Sequence, residues 1–289
     1  MPFARIRPFV LPVSAAALIL ALAVAVGLAR GKEPTRAVLA EPRTSVAASA
    51  PASPAPPATV PPPAAKPPAG LPVIAYAKGP RGLPADPDPA SVVPITEALR
   101  PEKRTALYDA PGGRPRAYLP ARISGLPVVV PIVARENGWV AVLVPAANRR
   151  IGWVPEAGWR PEPLRDQLVV SLAERRLTWL REGEEQQRWT VAIGTERTPT
   201  PLGRTFVLGR TGTSGPVYAG LDALVLGSVP DAPEKLAASL QGAHTGIHAW
   251  TNSAVFGRDV SNGCVRTPPA GMRELLAQVD PGTPVVVTA

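Results

Sequence analysis

Three patterns of hydrophobic and polar positions follow one another along the chain. Residues Pro8–Ala29 form an apolar run that is interrupted only by Ser14. Residues 41–70 show no hydrophobic period and consist largely of Pro, Ala, Ser and Thr. From residue 71 onward, short apolar runs are separated by Pro, Gly and Asn, a pattern typical of β-strands joined by turns. The sequence therefore predicts a mainly β folded part behind an apolar N-terminal segment and a linker.

The apolar run has the features of an export signal. Basic Arg5 and Arg7 precede it, and a basic start followed by an apolar core is typical of exported proteins. The run is long enough to span a bilayer, which needs about 20 residues, and the small residues Gly27 and Ala29 in Gly27-Leu28-Ala29 would suit a signal peptidase. We therefore assign residues 1–30 to a signal anchor or a signal peptide. This predicts an extracytoplasmic place in the cell envelope, membrane-anchored or secreted, with the membrane as a partner of the N-terminal segment.

Residues 31–70 are predicted to be a Pro/Ala-rich linker. The runs Pro61–Pro63 and Pro67–Pro68 favour an extended, partly polyproline II chain that cannot bury a core. We interpret the segment as a semi-rigid spacer that holds a folded domain away from the membrane. A role as a proline-rich ligand is the alternative, although no charged flank indicates it.

The basic charge of the chain lies mostly outside its last part. The net charge is +9, yet residues 164–289 contain equal numbers of basic and acidic side chains. The basic excess of the tail and the middle suits an anionic membrane face or an anionic wall polymer. It is too thin for a nucleic-acid stripe and no nucleic-acid motif is present, so we expect no nucleic-acid partner.

The region from residue 71 onward is long enough for two domains. The first, residues 71–163, contains short runs that predict a small β-barrel: Tyr118–Arg122, Val128–Val133, Trp139–Val144 and Ile151–Val154. Its pattern resembles a bacterial SH3-like domain, with the last two runs as its closing hairpin strands. We expect Trp139 and Trp153 to be core aromatics, and the alternative is a surface for wall polymer.

The second domain, residues 164–289, is predicted to be β-rich with short helices. Its strand candidates are Leu168–Leu172, Leu177–Leu180, Trp189–Ile193, Arg204–Leu208, Gly246–Ala249, Cys264–Arg266 and Pro284–Val287. One helix is predicted between Thr267, as its N-cap, and Pro281. Its apolar stripe consists of Met272, Leu275, Leu276 and Val279. A second helix candidate is Ala232–Leu240.

The candidate chemistry lies around the single cysteine, Cys264. It follows a Ser-Asn-Gly run, which predicts a sharp polar turn that exposes a thiol beside backbone N–H groups. His248, one of two histidines, lies sixteen residues earlier. A thiol and a nearby base are the minimum for a nucleophilic cysteine. The alternative is a small buried hydrophobe, but an exported chain tends to pair or lose unused cysteines.

Three motifs make the second domain resemble an L,D-transpeptidase catalytic domain. Ile247–Ala249 followed by Ser261–Arg266 (SNGCVR) is similar to the family's His … Ser-His-Gly-Cys-Ile/Val-Arg signature. Val191–Gly194 followed by Thr198–Phe206 (TPTPLGRTF) resembles its Gly … Thr-Pro-Thr-Pro-x-Gly-x-Phe segment. A short helix and a terminal apolar strand also fit. The resemblance spans Leu168–Thr288.

The resemblance implies roles for the catalytic groups. It makes Cys264 the nucleophile and His248 the base paired with it. The backbone carbonyl of Ala249 would orient the imidazole in place of a triad acid. Ser261 would brace the turn. The thiol and imidazole are expected to persist as a thiolate–imidazolium pair near neutral pH.

Further roles concern the oxyanion and the substrate. By the resemblance, the backbone N–H groups of Gly263 and Cys264 would meet the oxyanion, and Arg266 would hold the turn or engage a substrate carboxylate. Asn262 departs from the family, which usually has His there. Because the family's base is the earlier histidine, we expect activity, with Asn262 donating to an oxyanion or a loop carbonyl.

The implied reaction joins peptidoglycan stem peptides. Cys264 attacks the amide between an L-centre residue and a D-alanine, D-alanine leaves, and an amine of a neighbouring stem attacks the thioester. No cofactor and no metal is needed. The alternatives are an L,D-carboxypeptidase that uses water, a non-catalytic wall-binding protein, and a zinc site of His244, His248 and Cys264.

Overall fold

The structure, a computed structural model, describes four stretches of the chain: residues 60–76, 79–146, 149–228 and 245–289. All of them belong to one compact unit, Pro56–Ala289. The predicted signal segment 1–30, the helix candidate Ala232–Leu240 and His244 lie outside these stretches, and so does most of the linker. No helix within them is long and apolar enough to cross a membrane.

The described residues before 164 form a β-domain. Its strands are β1 (Glu97–Arg100), β2 (Thr105–Tyr108), β3 (Pro115–Leu119), β4 (Arg122–Ile123), β5 (Leu126–Pro127), β6 (Val130–Glu136), β7 (Trp139–Leu143), β8 (Ile151–Pro155) and β9 (Arg160–Pro163). Seven of them form a sheet in the order β3-β2-β8-β7-β6-β1-β9, while β4 and β5 pair as a separate hairpin. All these pairs are antiparallel.

The predicted apolar runs occupy the centre of this sheet. β7 is buried along its whole length, which explains why its sequence is continuously apolar rather than alternating. Trp139 is 1% exposed, so its expected core position is confirmed. Trp153 is half-buried and packs against the same core. The assignment of this domain as SH3-like stays a prediction.

The end of the proline-rich segment packs on this sheet. The Trp139 Nε1–H group donates to the Pro62 carbonyl at 3.1 Å, and the Tyr108 hydroxyl donates to the Ala65 carbonyl at 2.8 Å. Farther along, Pro72 and Ile74 exchange backbone hydrogen bonds with Tyr118. A spacer was expected up to residue 70, but from Pro61 onward the chain makes contacts with the domain. Polyproline carbonyls have no internal donors, so aromatic side chains with polar tips can bind them.

The residues from 164 onward form a second, mixed sheet. Its strands are β10 (Asp166–Ser171), β11 (Arg176–Arg181), β12 (Glu184–Thr190), β13 (Ile193–Gly194), β14 (Gly203–Thr211), β15 (Ala223–Leu226), β16 (Gly246–Ala249), β17 (Asp259–Ser261), β18 (Val265–Thr267) and β19 (Pro284–Thr288). Eight follow the order β12-β11-β10-β19-β14-β15-β16-β18, and β13 pairs separately with β17. The predicted mainly β class is confirmed.

One α-helix, α1 (Pro269–Gln278), lies between β18 and β19. Met272 and Leu275 from the predicted stripe are buried in the core of this sheet. The predicted N-cap was wrong. Pro268 occupies that position and offers no side-chain hydrogen bond, while Thr267 belongs to β18 and is fully buried. Two consecutive prolines after a strand start the helix by fixing φ, without a polar cap.

The two sheets share packed residues. Phe206 and Leu208 of β14 belong to the hydrophobic core of the first sheet. A buried ion pair reinforces this contact, because the Arg204 Nε–H group donates to Asp86 Oδ2 at 2.9 Å and both side chains are less than a tenth exposed. The amino-terminal β-domain is therefore fixed against the second sheet.

Candidate active site

The backbone of two parallel strands brings the histidine and the cysteine together. β16 pairs with β18 so that Ile247 lies opposite Val265 and His248 opposite Arg266. Cys264 directly precedes β18 and therefore lies at the end of the strand beside the histidine strand. A close approach of β16 to β15 needs Gly246, since a Cβ there would come within 2.7 Å of the Leu224 carbonyl oxygen.

The turn before the cysteine is braced from inside by Ser261. Its hydroxyl accepts from the Gly263 N–H at 3.1 Å and donates to the Cys264 carbonyl at 2.6 Å. Gly263 has a φ of 115°, which an L side chain rarely adopts. The contact expected of Ser261 is thus present. The Gly263 N–H, expected at the oxyanion, is engaged by Ser261 in this structure, which leaves the Cys264 N–H for that task.

The imidazole of His248 is held through one ring nitrogen. Its Nδ1 lies 2.9 Å from the carbonyl oxygen of Ala249, the contact expected from the sequence. With Nδ1–H as donor, Nε2 carries the lone pair that a base needs. Tyr218, in a 3-10 turn at Pro216–Tyr218, packs edge-on against the imidazole at 5.1 Å, and Trp250 lies 5.8 Å away.

Arg266 and Asn262 occupy different surroundings. The Arg266 guanidinium lies 3.9 Å from the centre of the Trp250 ring, and its Nη1 donates to the Val260 carbonyl at 3.4 Å. These contacts correspond to holding the turn, the first of its two expected roles. Asn262 is exposed, and its side chain makes no hydrogen bond to any described residue.

Burial favours the neutral forms of both groups. It raises the pKa of the Cys264 thiol above its usual value, although a backbone hydrogen bond from Gly246 and the charge of Arg266 oppose the shift. Burial also lowers the pKa of the His248 imidazole, against the effect of its bond to Ala249, and the charge of Arg266 lowers it further. The expected resting thiolate–imidazolium pair is therefore not favoured. No hydrogen bond joins the two side chains here, and such bonds often tighten only when substrate binds.

Cys264 and His248 open on one cavity of about 510 Å³. Strands β14, β15 and β16 supply most of its wall, with Arg210 as its one permanently charged lining residue among those described. Ser124 and Leu126, from the β4–β5 hairpin of the first domain, complete the wall. A cavity of this size and mixed lining suits a peptide rather than a bare ion.

Several of these residues were not identified from the sequence. Trp250 directly follows the Ile247–Ala249 motif, which was the one available signal. Tyr218 and the hairpin carry no motif. Tyr76, which follows the docked proline-rich segment, was also not singled out; burial and then the charge of Cys264 raise its pKa. His244 lies outside the described residues, so the zinc alternative is not addressed by them.

The second domain is similar to known proteins. Residues 165–287 match the family model of the L,D-transpeptidase catalytic domain, YkuD. A putative L,D-transpeptidase YkuD of Bacillus subtilis (strain 168) is 27% identical over 120 residues, which cover 42% of this chain. The chain spans 64% of the length of that curated relative.

Solved structures of proteins described as L,D-transpeptidases are also similar to this chain. The catalytic domain of the Enterococcus faecium L,D-transpeptidase is 26% identical, covering 43% of this chain and 96% of that one, with a TM-score of 0.31. An L,D-transpeptidase from Mycobacterium tuberculosis H37Rv is 16% identical, covering 70% of this chain and 98% of that one, with a TM-score of 0.37. Residues 165–287 are thus similar to the catalytic domain of the YkuD family of L,D-transpeptidases.

Proposed function

We propose that this protein is a peptidoglycan L,D-transpeptidase with Cys264 as nucleophile and His248 as general base. One observation carries the proposal: the only thiol of the chain and an imidazole held at Nδ1 by the Ala249 carbonyl open on one peptide-sized cavity. Orientation through Nδ1 is what a base acting through Nε2 requires. The family match of the surrounding domain agrees with this reading.

The proposed reaction has two acyl transfers. His248 Nε2 takes the thiol proton as Sγ of Cys264 bonds to the carbonyl carbon between an L-centre residue and D-alanine. The C–N bond breaks, and the proton passes to the amine of the leaving D-alanine. An amine of a second stem then attacks the thioester, giving a new amide and restoring the thiol. Because the resting groups are neutral, proton transfer accompanies the attack instead of preceding it.

The surroundings of the thiol support this sequence of steps. The Gly246 N–H and the positive charge of Arg266 both favour the thiolate once it forms. The charge of Arg266 also disfavours the imidazolium, so His248 readily returns its proton to the leaving amine. The Cys264 N–H is the backbone donor proposed for the oxyanion.

Mass spectrometry of the protein incubated with disaccharide-tetrapeptide tests the proposal. We expect a crosslinked dimer that has lost one D-alanine, and a transient covalent adduct on Cys264. Cys264→Ala should abolish both while circular dichroism stays unchanged. A trimmed tripeptide without dimer would instead indicate an L,D-carboxypeptidase, and no reaction of the native protein would indicate a wall-binding protein.

The location of this chemistry is part of the proposal. The apolar run at residues 8–29 supports export to the cell envelope, where the stem peptides lie, with the membrane as the partner of the N-terminal segment. Fractionation of cells that produce the protein tests it. Recovery in the cytoplasmic fraction would contradict the assignment.

A further inference from the structure

The amino-terminal domain reaches the catalytic cavity through one hairpin. Strands β4 and β5 are joined by Ser124 and Gly125, both with positive φ (48° and 81°), as in a two-residue type I′ turn. The Arg122 Nη1–H group donates to the Gly125 carbonyl at 2.6 Å and closes the tip. Ile123 is buried in the first core. The hairpin is thus a short, well-fixed element.

The hairpin is seated against the second sheet at the cavity. Leu126 packs over Gly209 of β14, where a Cβ would come within 2.7 Å of the leucine Cδ1. Ser124 and Leu126 then line the cavity that also contains Cys264 and His248. A glycine on β14 lets the hairpin approach this closely, so the two domains form one wall.

The charge of the cavity indicates what it binds. Arg210 lines it, and no aspartate or glutamate does among the described residues. One guanidinium nitrogen, Nη2, donates to the Val279 carbonyl at 2.9 Å, which anchors the side chain. Within the same stretches Arg210 has no ion pair, so its other N–H groups are free to bind a carboxylate.

We propose that the β4–β5 hairpin and Arg210 form a subsite for a carboxylate of the peptide substrate, so that the amino-terminal domain selects substrate. The proposal rests on the proposed function for the identity of the peptide. Arg210 supplies the charge, Leu126 the apolar contact, and Ser124 the polar rim. Arg266, the other candidate for a substrate carboxylate, is already stacked on Trp250 and is not among the lining residues.

A carboxylate placed on the hairpin tests the subsite. Ser124→Asp would set a negative charge in the cavity, where it would compete with the peptide for Arg210. The readout is protection of Cys264 from neutral iodoacetamide by disaccharide-tetrapeptide, which needs binding but no turnover. We expect half-protection to need about fivefold more peptide, in line with one exposed charge pair. Arg210→Ala should give a similar loss.

Asn137→Asp is the matched control. Asn137 has the same φ of 48° and begins the Asn-Gly turn between β6 and β7 of the same domain, away from the cavity lining. Asn137→Asp should leave the protection of Cys264 by the peptide unchanged. When the carboxylates of the peptide are amidated, neither aspartate variant should change the protection. Equal effects of the two aspartate variants would overturn the proposal.

The design separates this proposal from the proposed function. If the native protein binds the peptide through Arg210 but forms no product, the subsite stands and the transpeptidase assignment fails. If the native protein forms product, but the peptide protects Cys264 equally well in the native protein, in Ser124→Asp and in Arg210→Ala, only the subsite proposal fails. Absence of any protection by the peptide also overturns the subsite.

Discussion

At the scale of single residues, the surroundings of the Cys264 thiol have opposing effects on its pKa. Burial opposes the thiolate, whereas the Gly246 backbone and the Arg266 charge favour it. The net result is a raised pKa for Cys264 and a lowered pKa for His248. Both shifts favour a protonated thiol beside a neutral imidazole at neutral pH.

The pH dependence of thiol alkylation tests this view. Only the thiolate reacts with iodoacetamide, so the rate rises with pH through the pKa of Cys264. Because burial raises that pKa, half of the maximal rate should be reached above the value of about 8.5 of an ordinary cysteine. When the protein is unfolded in urea, the pKa of the Cys264 thiol should lie near that ordinary value. A plateau of high reactivity below pH 7 would instead reveal a resting ion pair.

The sequence predicted several residues that the structure brings together at the candidate site, and the residues it missed share one cause. Cys264, His248 and Ala249 were found because they belong to contiguous motifs. Ser124 was not found, because its place in the cavity depends on how two domains pack. The resemblance implied an oxyanion role for the Gly263 N–H, and the sequence does not show that the Ser261 hydroxyl accepts from this group.

At the scale of elements, most of the apolar strands were predicted, whereas β12, β15 and the packing of the proline-rich segment were not. The strand candidate Trp189–Ile193 was wrong, because β12 ends at Thr190 and β13 begins at Ile193. Continuous apolar runs at β7 and β8 gave their positions directly. The segment at residues 60–68 has the composition of a free linker, so its sequence alone predicts a spacer. Its fixation comes from Trp139, Tyr108 and Tyr118, whose polar tips donate to its carbonyls from positions far along the chain. Composition does not reveal such long-range partners.

A methyl group added under the docked segment tests its contribution. Gly138 has a φ of 75°, and a Cβ there would come within 2.6 Å of the Pro61 ring. Gly138→Ala should therefore reduce the free energy of unfolding by about 1 kcal/mol beyond the cost of the positive φ itself. Urea denaturation measures the change.

Gly158→Ala measures how much free energy of unfolding is lost from the positive φ alone. Gly158 has a similar φ of 81° and open space around its Cβ position. Combining Gly138→Ala with Pro61→Gly, which removes the opposing ring, should lose less stability than the sum of the single changes. Equal losses for Gly138→Ala and Gly158→Ala would mean that the proline segment does not pack there in solution.

At the scale of the whole molecule, the two sheets are one packed body in the described residues. β14 contributes Phe206 and Leu208 to the core of the first sheet, and the β4–β5 hairpin contributes to the cavity of the second. A cavity shared in this way needs a fixed relation between the domains. We therefore expect the described body to unfold in one cooperative transition.

The buried ion pair between the domains provides the test of that cooperativity. Asp86→Ala leaves the Arg204 guanidinium buried without its carboxylate, which typically costs about 3–5 kcal/mol. Adding Arg204→Met removes the unpaired charge and should recover much of the loss. Glu185→Ala, which breaks an exposed pair with Arg188, should cost less than about 1 kcal/mol. Urea transitions followed by tryptophan fluorescence and by alkylation of Cys264 should shift together, and a Cys264 midpoint unmoved by Asp86→Ala would show that the catalytic domain unfolds independently.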